Sequence, residues 1–61
     1  MLKTERKTAI DIIVEGTNKL DERNKANWKR GLITADEEQE NREDIYRAMK
    51  ELIKLLIIEA A

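Results

Sequence analysis

Midway along the chain the residues run Lys29-Arg30-Gly31-Leu32-Ile33-Thr34-Ala35-Asp36-Glu37, a stretch that ends one helix and starts another. Lysine and arginine sit where the negative end of a helix dipole favours cations. Gly31 stands where the first residue past a helix commonly takes a left-handed conformation. Thr34 can cap a new helix through its hydroxyl, and Glu37, three residues on, can reach back to the Thr34 N–H. Asp36 and Glu38 add acid where the new helix is positive. A chain of 61 residues with this boundary at its centre and no proline has room for two helical arms and little else. The reading is an all-α fold: a single domain, 1–61, forming an antiparallel two-helix hairpin over about 4–30 and 34–59.

Each arm carries an apolar stripe at helical spacing. In the first, Ala9, Ile10, Ile13, Val14, Gly16, Thr17 and Leu20 share one side, and Ile12 widens it. Asn24, Asn27 and Trp28 continue the same side further on. Glycine inside a helix costs about 1 kcal/mol relative to alanine, so Gly16 either admits another backbone closely or breaks the arm in two. The stripe keeps its phase across Gly16, which favours one continuous helix. In the second arm Ile45, Ala48, Met49, Leu52, Leu55 and Leu56 form the stripe, with Tyr46, Ile53 and Ile57 along one edge. Glu38, Asn41 and Arg42 occupy its seam upstream, in a stretch that is otherwise polar. Glu37, Glu38 and Glu40 read as a solvated acidic first turn.

The bend Gly31-Leu32-Ile33-Thr34-x-x-Glu37 resembles the G-[LIV]-I-T-x-x-E core of the short C-terminal helical-hairpin (SHOCT-type) module of bacterial proteins. The likeness covers roughly a third of the chain and departs at Glu38, where the module usually has an aromatic residue. It implies an oligomerisation or interaction element and no catalysis.

Folding the arms about this bend pairs residues whose numbers sum to roughly 65. Leu20 then meets Ile45, Thr17 meets Ala48, Ile13 meets Leu52, Ile10 meets Leu55 or Leu56, and Asn24 meets Asn41. Leu32 and Ile33 would tuck inward at the bend. Both apolar segments lie at the open end and both polar segments at the bend. Residues 1–30 carry a net +3 and residues 31–61 a net −4, so the arms attract. The stripe of the second arm is wider than one partner helix can cover. A chain this short also buries too little surface to be comfortably stable alone. With no Cys and no His, neither a disulfide nor a zinc site can staple it. Self-association into a four-helix bundle or a higher homo-oligomer is the expectation, through Ile10, Ile13, Leu20, Ile45, Met49, Leu52 and Leu56.

The same composition narrows function. Ser, Cys and His are absent, which removes the common nucleophiles and the usual general base. No catalytic residue, metal ligand or cofactor is assigned. The longest nearly apolar run, Leu52 to Ile58, is interrupted by Lys54 and too short to span a bilayer. No signal sequence is legible, so the location expected is cytoplasmic and without a membrane partner. Lys25, Trp28, Lys29 and Arg30 are the candidate contact residues. Trp28 reads either as a plug packed on Leu32 or Ile33, or as a binding hot spot, because Trp and Arg are enriched at such points. The function expected is a small non-enzymatic homo-oligomer that binds another macromolecule, most simply a protein, as adaptor, regulator or inhibitor. Its brevity also suits a phage or mobile-element product. A first alternative is sequestration of a small anionic ligand such as a nucleotide, gripped by Trp28 and its neighbouring cations. A second is a DNA-binding regulator using residues 18–30 as a recognition helix, which requires a break near Gly16 and lacks a basic excess.

Overall fold

The computed structural model describes residues 2–60, with side chains through residue 58. It is a hairpin of two long helices, α1 (Lys3–Lys29) and α2 (Ala35–Ala60), packed against each other along their length. The Cα envelope measures 44 × 15 × 8 Å, so the molecule is one helix thick.

The bend is built as the residues dictate. α1 ends in a Schellman arrangement: the Leu32 N–H donates to the Asn27 carbonyl at 2.9 Å and the Gly31 N–H to the Trp28 carbonyl at 3.0 Å. This geometry needs a positive φ at Gly31, observed at 74°, a region in which a Cβ is strained. Thr34 and Glu37 then close a reciprocal cap. The Glu37 N–H donates to Thr34 Oγ1 at 3.1 Å and the Thr34 N–H to Glu37 Oε1 at 3.0 Å. At the other end, the Leu2 N–H donates to Glu5 Oε2 at 3.3 Å; the leucine side chain has no oxygen to complete the pair. Ile33 is half-buried, but Leu32 is largely exposed, so only one of the two bend side chains turns inward.

α1 runs unbroken through Gly16. The break that a separate recognition helix over residues 18–30 requires is therefore not formed. A Cβ placed on Gly16 would meet nothing within 4 Å; within this chain no backbone approaches it closely.

The interior is the least expected part. No apolar side chain among the described residues is buried. The buried positions are polar: Thr17, Asp21, Asn24 and Glu38, all between 5% and 7% exposed. Ile10, Ile13, Ile45, Met49, Ile53 and Leu56 are only half-buried, because two helices side by side leave each stripe open along its edges. Glu38, expected to be solvated, is instead the most enclosed of the four: it falls on the α2 stripe one turn past the cap, where the neighbouring helix covers it.

Candidate functional site

Three surfaces follow from this architecture: a polar seam between the helices, a trough along one face, and the tip around Trp28.

The seam fixes the register. Asn24 Nδ2 donates to the Glu38 carbonyl at 2.8 Å, and Asn41 Nδ2 donates to Asn24 Oδ1 at 3.1 Å. The predicted pairing of Asn24 with Asn41 is thus a direct hydrogen bond, and Asn24 is buried in the polar half of the interface. One turn toward the open end, the Tyr46 hydroxyl donates to Asp21 Oδ2 at 3.3 Å. Lys25 Nζ lies 3.2 Å from the same oxygen. Asp21 Oδ1 has no partner. Glu38 Oε1 is 3.5 Å from Arg42 Nη1, close enough for charge attraction but without a hydrogen bond. Thr17 satisfies its hydroxyl locally, donating to the Ile13 carbonyl at 2.7 Å. Asp21 escaped sequence reasoning as a buried group, and Glu38, although it falls at a seam position, was read as solvated. The available signal was positional: with Thr17 and Asn24, Asp21 continues a 3-4 spacing on the α2-facing side of α1.

The trough lies beside this seam on one face of the hairpin. From the open end it is lined by Ala9, Ile12, Ile13, Leu52, Leu55 and Leu56. It continues past Gly16, Leu20, Ile45, Ala48 and Met49 to Arg23, Asn27 and Asn41 near the bend. These stretches share lining residues and form one continuous channel. Among the described residues Arg23 and Asp44 are its only charged lining residues, in a chain of which 41% of residues are charged. Across α2 from the trough, by contrast, a hollow is lined by Arg42, Glu43, Tyr46, Arg47 and Lys50. Of the residues expected to mediate self-association, Ile13, Leu20, Ile45, Met49, Leu52 and Leu56 all line the trough. Ile10 does not; it lies in a separate hollow with Lys3, Thr4, Arg6 and Lys7.

At the tip, Trp28 is 45% exposed and Lys25, Lys29 and Arg30 are exposed. Trp28 is thus neither a sealed plug nor fully free. Lys25 is engaged by Asp21, which leaves Lys29 and Arg30 as the tip's less committed cations. Among the described residues no cluster of three or more His, Cys, Asp or Glu could hold a metal ion, and no described helix is long and apolar enough to cross a membrane. No family model matches the chain, and neither a curated protein nor a solved structure is significantly similar to it.

Proposed function

We propose that this chain is a small non-enzymatic interaction protein that works as a homo-oligomer, binding another macromolecule as adaptor, regulator or inhibitor. The observation that carries the proposal is the missing apolar core. Half of the length of each helix is rich in Ile and Leu, yet none of these side chains is buried in one copy. Apolar burial is the main favourable term in folding, so a second surface is the simplest source of it. The absence of Ser, Cys and His supports a role in binding rather than catalysis. The SHOCT-type resemblance of the bend points the same way. Sedimentation at micromolar concentration tests the proposal: the expected species is a dimer or larger, and a folded monomer of 7.1 kDa would refute it.

The half-exposed Trp28 beside Lys29 and Arg30 supports a second reading, capture of a small anionic ligand such as a nucleotide at the tip. Titration of Trp28 fluorescence with ATP is expected to quench saturably under that reading. An unchanged spectrum at millimolar ATP removes it.

A further inference from the structure

We infer that the trough is filled by a second copy of this chain about a two-fold axis parallel to the helices. In that dimer α1 of each copy lies along α2 of the other, and both bends sit at the same end. The inference rests on the self-association reading and specifies its geometry.

Area gives the first argument. A compact single-chain protein of 7.1 kDa exposes about 4,100 Å². This hairpin exposes 5000 Å², an excess of about 900 Å², and a standard interface buries about 800 Å² per partner. The trough is where that excess is apolar and almost free of charge. Shape agrees with it. Gly16 opens onto empty space and Ala48 lines the same stretch, so the trough has a low waist that lets a helix settle deeply between Leu20 and Leu52.

Charge chooses the occupant and its direction. α1 holds seven basic and five acidic residues, for +2, and α2 holds four basic and eight acidic residues, for −4. A two-fold axis parallel to the helices places each α1 on the other copy's α2, so every helix has neighbours of opposite net charge and opposite direction, as in an up-down-up-down bundle. A two-fold axis across the helices would instead stack α2 on α2. The two charged trough residues discriminate further. Arg23 makes no ion pair among the described residues, and Asp44 pairs only with the exposed Arg47 on its own helix, at 3.3 Å. Arg23 and Asp44 flank the same end of the trough. The parallel axis brings Arg23 of each copy over Asp44 of the other. The crossing axis, centred on the apolar segment, would leave Arg23 over the region of Ala9.

The chain has no native cysteine, so Leu32→Cys at the exposed bend gives a single nitroxide site. Pulsed electron paramagnetic resonance on the labelled protein, with sedimentation alongside, reads the geometry. The parallel axis predicts a distance under about 30 Å, set by interaxial spacings of 8–10 Å plus the label tethers. The crossing axis predicts roughly 45–50 Å, because the bends would then project to opposite ends at about 1.5 Å per residue. A dimer with the long distance overturns the inference and leaves self-association standing; a monomer overturns both. A charge exchange gives an independent readout. Arg23→Glu is expected to weaken the dimer Kd by roughly tenfold, and adding Asp44→Arg to restore it. A double variant no tighter than the single one contradicts the proposed pairing.

Discussion

Asn24 donates to a backbone carbonyl of the opposite helix and accepts from a side chain of that helix, so two cross-helix bonds depend on one residue. Removing it leaves the Glu38 carbonyl without that donor in a buried site. Asn24→Ala is therefore expected to cost about 1–3 kcal/mol in urea unfolding. Asn41→Ala, at an exposed position and losing a single bond, should cost less. Equal losses would mean that the Glu38 bond contributes nothing. Asp21 is the other costly residue. Its buried carboxylate has one oxygen served by Tyr46 and Lys25 and one unserved, and a buried charge short of partners is expensive. Tyr46→Phe removes a donor without changing the ring, and should destabilise by about 1 kcal/mol or more. No loss on that change would show that Lys25 alone suffices.

The elements were legible because their ends are local. Gly31, Thr34 and Glu37 determine the bend through chemistry within a few residues, and each bond expected there is formed. Gly31→Ala should destabilise, since φ at 74° suits a Cβ poorly and costs about 1–2 kcal/mol. Thr34→Ala should cost about 1 kcal/mol for the lost cap; thermal unfolding by circular dichroism measures both. Register was legible for a related reason: each helix carries an apolar stretch, over 9–20 and 45–58, and a polar stretch beside the bend, and a single antiparallel alignment matches both. The interior was not legible. Periodicity states which side of a helix faces its partner, but not how far one partner covers it. Thus Ile13 and Met49 were placed on the right faces yet remain half-buried, and Glu38, although at a seam position, was read as solvated because its acidic neighbours are. Gly16 separates the two levels of structure. In one copy an added side chain meets nothing, so Gly16→Arg should raise helicity through an intrinsic preference of about 0.8–1 kcal/mol. In a copy seated on the trough the same side chain obstructs. More helix together with loss of self-association is the expected pair of results.

At the scale of the whole molecule, the hairpin is a sheet of two helices with one charged side and one nearly uncharged trough. That asymmetry explains how 41% charged residues coexist with a surface suited to apolar packing. It also divides the labour along the length. The bend and the polar seam fix the register, the open end supplies apolar area, and the tip leaves Trp28 partly exposed. Leu52→Asp, placed in the middle of the trough, should abolish association, with a much smaller effect on the capped bend; a Leu52→Asp protein that sediments as the wild type does would exclude the trough as the interface. If a second copy completes the fold, as proposed, stability must follow mass action. Thermal unfolding followed by circular dichroism from 1 µM to 1 mM chain, ~10³-fold, should show a midpoint that climbs steadily with concentration. A midpoint independent of concentration, with a fully helical signal at 1 µM, would mean that one hairpin is stable by itself and needs no second copy.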